Sequence, residues 1–117
     1  MRFTALFTRR SPDRQSFRGR LIRPPHVMST TRDGETVLLD TVRGRYHTLN
    51  EVGTRVWELL ADGTTLDEIV ATIRREYDVP LVGGVDPVEQ DVTTLLTHLR
   101  AAGLLISAPP TGVRRES

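Results

Sequence analysis

The 117-residue chain contains no cysteine, which excludes a disulfide framework, a zinc ribbon, cysteine-held iron–sulfur clusters and a thiol nucleophile. Lysine is missing as well: all sixteen basic residues are arginine, a bias we attribute to a GC-rich genome and from which no function follows. Long apolar runs are also lacking. The longest, Ala101 to Ile106, falls far short of the roughly 20 residues that a membrane-crossing helix requires, so no membrane is expected as a partner. Catalytic signatures are equally absent: there is no His-Glu-x-x-His, no Gly-x-Ser-x-Gly, no P-loop and no Gly-x-Gly-x-x-Gly. His26, His47 and His98 would have to converge from a strand start, a strand and a helix, so they form no metal-ligand pattern. Asp67, Glu68, Glu89 and Asp91 cluster at helix starts, where the positive end of the helix dipole is reason enough for acidic residues. These features point to a binding module with no catalytic residue, no metal and no cofactor.

Hydrophobic residues make up 38% of the chain and charged residues 26%, the balance of one ordinary globular domain. The net charge of +1 conceals a division along the sequence. Residues 1 to 23 hold seven arginines against Asp13, a balance of +6, whereas residues 24 to 113 hold seven arginines against thirteen acids, a balance of −6. The basic stretch gathers all three phenylalanines, Phe3, Phe7 and Phe17, without helical or strand periodicity. It reads as an arm without fixed structure, dispensable for both stability and binding. Pro24-Pro25 discourages helix at the entry to the body, and residues 107 to 117 read as a tail.

From His26 the pattern becomes regular. His26 to Arg32, Thr36 to Asp40 and Arg45 to Leu49 are strand-like segments separated by Asp33-Gly34 and by Val42-Arg43-Gly44, turn residues suited to positive φ. Three helical patterns follow. Asn50 caps the stripe Val52, Val56, Leu59 and Leu60, which Gly63 ends. Thr65 and Glu68 form a capping box ahead of Leu66, Ile69, Val70, Ile73 and Tyr77. Asp86 and Glu89 flank Pro87 before Val88, Val92, Leu95, Leu96 and Leu99, and Gly103 closes the run. Leu104 to Ile106 offers a short final extended piece. The predicted fold is α+β and winged-helix-like: a three-stranded antiparallel sheet followed by three helices, spanning residues 24 to 106.

Three strands with three helices also describe a winged-helix DNA binder. Against that reading, the last helix opens with Glu89 and Asp91 and carries no basic residue before Arg100. The Asp78 to Val85 connection is also about twice the length of a helix-turn-helix turn. Nucleic acid is therefore not expected as a partner.

The run from Val37 to Ile69 resembles the PqqD-like family, the RiPP recognition elements that bind leader peptides of ribosomally made natural products. The residues carrying the resemblance are Leu39, Asp40, Gly44, Tyr46, Leu49, Asn50, Gly53, Trp57, Leu59, Leu60 and Gly63. Asp91-Val92, Leu95, Leu96, Leu99 and Gly103-Leu104 resemble the stand-alone members that serve lasso peptide biosynthesis. The basic arm has no counterpart in the pattern. The resemblance implies a non-catalytic cytoplasmic protein that holds a precursor's leader as an added strand on the third strand, over a groove floored by the third helix. It would then deliver the precursor to a separate leader peptidase, a cyclase or another modifying enzyme. Carried onto this sequence, the leader-binding residues are Arg45, Tyr46, His47, Thr48 and Leu49 on the strand and Asp91, Thr94, Leu95 and His98 on one helix flank. By residue type alone, Tyr46 and Trp57 read as core aromatics, Gly53 as a close-packing position near Trp57, Asp91 as a partner of the helix dipole and Arg45 as a solvated edge charge. A carrier for a radical enzyme of another pathway, a DNA-binding regulator and a simple interaction domain remain as alternatives.

Overall fold

The computed structural model describes residues 14–77 and 87–108. Three strands, β2 (Val27–Arg32), β3 (Glu35–Asp40) and β4 (Arg45–Leu49), form an antiparallel meander in the order β2-β3-β4. Asp33 and Gly34, at φ 55° and 80°, supply the two positive dihedrals of the first hairpin and fix Arg32 opposite Glu35. At the second turn the buried Asp40 carboxylate accepts the backbone N–H groups of Val42 and Arg43 at 2.9 and 3.0 Å, and Arg43 Nη1 at 3.0 Å. Those three bonds satisfy a charge that burial would otherwise penalise heavily.

Helices α1 (Glu51–Leu59), α2 (Leu66–Tyr77) and α3 (Pro87–Ala101) follow the sheet. Asn50 Oδ1 accepts the Gly53 N–H at 2.9 Å, and Thr65 and Glu68 exchange the reciprocal bonds of a capping box, both at 3.2 Å. Asp86, proposed from sequence as the cap of α3, lies outside the described residues. At the other end of α3, Gly103 (φ 80°) donates to Arg100 O and Leu104 donates to Leu99 O, which is a Schellman stop. The apolar stripes converge on one core containing Leu38, Val56, Trp57, Leu60, Ile69, Leu96 and Leu105. Arg55 clamps α1 to α2 through two 2.8 Å bonds to Glu76, which raise the Arg55 pKa and lower that of Glu76.

The basic arm differs from the sequence expectation. A short 3-10 turn at Arg14–Phe17 leads into β1 (Leu21–Ile22), which pairs antiparallel with β5 (Ile106–Ser107). Phe17 is 2% exposed and Leu21 fully buried, so both belong to the core. Leu21 and Thr64 exchange backbone bonds of 2.7 and 3.1 Å. Arginines hold this segment down instead of solvating it. Arg23 donates to Trp57 O from Nε (3.0 Å) and Nη2 (2.6 Å) with its guanidinium 4.6 Å from the Trp57 ring centroid, and Arg100 lies 4.3 Å over Phe17. Residues 14–23 are thus part of the fold, although the sequence assigned them to an unstructured arm; Phe3 and Phe7 lie outside the described residues. A two-residue strand has no periodicity to read, and a lone phenylalanine finds its cation only in three dimensions.

Candidate functional site

Because the sheet order ends at β4, one edge of that strand has no strand beside it among the described residues. The strand contains neither proline nor a bulge, devices that normally blunt an exposed edge, and its backbone groups remain a template for a further strand. Alternation sets where its side chains go. Leu49 is buried and His47 half-buried on the face shared with Leu38 and Thr36, while Tyr46 and Thr48 are exposed on the opposite face. Arg45 stands exposed opposite Asp40. Tyr46, at 71% exposure, is therefore not the core aromatic that its residue type suggested: once Leu49 points inward, period-two geometry sends Tyr46 outward. Trp57 is buried as expected.

Gly53 brings α1 close to the end of this strand. A Cβ there would stand 3.1 Å from Leu49 Cβ and 3.4 Å from Asn50 Oδ1. The close approach is thus to Leu49, not to Trp57, and it ties β4 directly to the first turn of α1.

On α3, Asp91, Thr94 and His98 are exposed along one flank, with Leu95 half-buried against the core beside them. The strand and this flank are separate surfaces: β4 packs on β3 and α1, while α3 packs on α2. The α3 surface continues into a mostly apolar pocket of about 170 Å³, lined by Val52 of α1, Ile73 and Tyr77 of α2, and Pro87, Val88, Asp91 and Val92 of α3, with no residue of β4 in its lining. Asp91 is the one residue of the sequence-derived set that lines it; Thr94, Leu95 and His98 run away from it along the helix. Sequence reading treated Val52, Tyr77, Val88 and Val92 as core stripe only, and no local signal marks them as pocket residues. Val52 and Tyr77 are indeed only half-buried. Burial, with the Glu51 carboxylate adding to it, raises the Tyr77 pKa, so the phenol stays neutral. An apolar pocket with Asp91 in its wall and Glu51 close to Tyr77 suits an apolar side chain carried next to a cation. It repels phosphate.

Among the described residues no group of three or more histidines and carboxylates is placed to hold a metal ion, and no helix is long and apolar enough to cross a membrane. Comparison with curated protein sequences finds no match. Residues 35–105 match the family model for coenzyme PQQ synthesis protein D, PqqD. Two solved structures are similar. One, TbiB1 in complex with the TbiA(beta) leader peptide, is 36% identical over 76% of this chain and 99% of its own, with a TM-score of 0.65. The other, a lasso peptide synthetase B1 complexed with the leader peptide, is 27% identical over 74% of this chain and 96% of its own, with a TM-score of 0.61. The matched segment runs from β3 through α3 to Leu105, and on that ground the chain belongs to the PqqD family, among its RiPP recognition elements.

Proposed function

We propose that this protein is a non-catalytic carrier that binds the leader region of a ribosomally synthesised precursor, of the lasso peptide class, and delivers it to a separate leader peptidase or cyclase in the cytoplasm. The observation that carries the reading is the open edge of β4, whose last residue, Leu49, lies against Gly53 in the first turn of α1, the turn whose Val52 lines the pocket that α1 shares with α2 and α3. The leader adds as a strand along Arg45, Tyr46, His47, Thr48 and Leu49. Backbone bonds supply affinity, and alternate side chains supply selectivity. Its inward side chains turn toward α3, where an apolar residue enters the pocket and a neighbouring cation meets Asp91. Thr94, Leu95 and His98 form the continuation of that wall. The likeness to two leader-peptide complexes supports this assignment.

The test is a fluorescence anisotropy titration of the full chain with a labelled leader from its own biosynthetic system, run beside a labelled DNA duplex. Saturable leader binding with weak DNA binding is the expected outcome. Tight, strongly salt-dependent binding of the duplex with none of the leader would replace this reading with that of a DNA-binding regulator.

A further inference from the structure

The segment from residue 2 to residue 10, RFTALFTRR, has no counterpart in the family pattern and no part in the function proposed above. It holds Phe3 and Phe7, three arginines and no acid, and it lies outside the described residues. Its root, however, is fixed. Arg100 Nη1 donates to Ser16 O and the Arg100 guanidinium stacks on Phe17, so the chain joins the body at the C-terminal half of α3. From there to Asp91 the surface of α3 is open: Thr97, Thr94 and Asp91 are all exposed.

Length and charge indicate where this segment can reach. Asp91 precedes Arg100 by nine residues of helix, which is about 14 Å along the axis and half a turn around it, or roughly 21 Å over the surface of a helix about 10 Å across. Phe7 precedes Ser16 by nine residues as well, and nine extended residues span roughly 30 Å. The pocket beside Asp91 is mostly apolar and, at about 170 Å³, has room for one aromatic ring, since a cavity of roughly 150 Å³ holds benzene. Its rim is acidic: the charges acting on Tyr77 are Glu51, Glu76 and Glu58 against Arg55, and Asp91 adds another carboxylate. Phe7, with Arg9 and Arg10 just after it, is thus the apolar residue beside a cation that this pocket suits.

We propose that residues 2–10 are an internal competitor of the leader: Phe7 fills the pocket and Arg9 and Arg10 face Asp91 until a leader takes their place. The proposal rests on the leader-binding reading given above. Tethering makes a weak contact sufficient. A tether of this length supplies an effective concentration on the order of 1 mM, so a segment with an intrinsic dissociation constant of about 0.25 mM raises the leader's apparent constant about five-fold. A peptide that binds only weakly then fails to enter, whereas the leader, anchored also along β4, displaces the segment. The competitor thereby sharpens the choice among peptides while lowering affinity for all of them.

Because the chain has no cysteine, Thr4→Cys gives a single attachment point for a nitroxide in the full-length protein. NMR of that chain without leader should show strong paramagnetic broadening of the Val52 and Val92 methyl signals in the pocket, and none of Met28 on the outer face of the sheet. Saturating leader should abolish the broadening. Phe7→Ser in the full chain should tighten leader binding about five-fold, and Arg9→Ser with Arg10→Ser should tighten it in the same direction, with urea stability unchanged. Unbroadened pocket signals would overturn the proposal, as would broadening that saturating leader leaves in place or a leader affinity that Phe7→Ser leaves unaltered. Broadening that appears on an isotope-labelled chain without nitroxide, when it is mixed with a nitroxide-bearing one, would overturn it too, by assigning the contact to a second copy. A chain that binds no leader at all would remove the leader-binding reading and the competition with it, while the broadening would still decide whether residues 2–10 hold the pocket.

Discussion

Phe17→Ala is the substitution that most sharply separates a docked N-terminal segment from a loose one. Removing a fully buried phenylalanine side chain ordinarily costs about 3 to 5 kcal/mol, transfer and cavity together, and the stacked Arg100 adds about 0.5 to 1 kcal/mol. Phe17 sits in a terminal segment that can detach instead of leaving a cavity, so the loss is capped at the free energy of docking that segment. We therefore expect about 2 to 4 kcal/mol, a large share of the roughly 5 to 10 kcal/mol available to a domain of this size. Phe17→Leu should cost about 1 kcal/mol, since most of the apolar surface remains. Urea unfolding followed by Trp57 fluorescence measures both, and because Arg23 reaches Trp57 from the same segment, the native emission should itself shift if the segment undocks. A loss below about 0.5 kcal/mol for Phe17→Ala, the range of ordinary surface changes, would refute the docked arrangement.

Asp91→Asn should weaken leader binding modestly and Asp91→Arg more, by about 1 to 3 kcal/mol for a partly desolvated charged contact, with urea stability nearly unchanged; stability loss without affinity loss would assign Asp91 to the helix dipole. Asp40 has its carboxyl pKa lowered chiefly by the Arg43 backbone N–H, with the Arg43 guanidinium and the Val42 N–H contributing and burial opposing. A lowered folded pKa stabilises above the unfolded value and is lost as pH falls through the folded one. Thermal stability should therefore decline below about pH 4, and Asp40→Asn should flatten that decline. Arg55→Ala, which breaks a half-exposed pair, should cost no more than about 1 kcal/mol in urea unfolding, and less in high salt.

The elements legible in the sequence were those with a local cause. Asn50, the Thr65–Glu68 box and Gly103 announced helix ends because each acts on backbone groups within a few residues. Asp33-Gly34 fixed the first hairpin for the same reason, and with it the register of the sheet. What was missed depends on partners distant in sequence. Leu21 bonds to Thr64 and pairs with Ser107, and neither partner can be read from Leu21 itself. The site divides similarly. The β4 segment was visible as a strand, and the outward direction of Tyr46 was implicit in its parity with Leu49, but aromatic size weighed more than parity. The pocket was not legible, because it forms only where the end of α2 meets the starts of α1 and α3.

Amide hydrogen exchange of the full chain with and without saturating leader tests the central claim most directly. If the leader adds to the sheet, those amides of Arg45 to Leu49 that do not bond to β3 should exchange at least about ten-fold more slowly when it is bound, as expected of newly paired edge groups. Unchanged exchange along β4 at saturation, with protection gained elsewhere, would contradict strand addition at this edge.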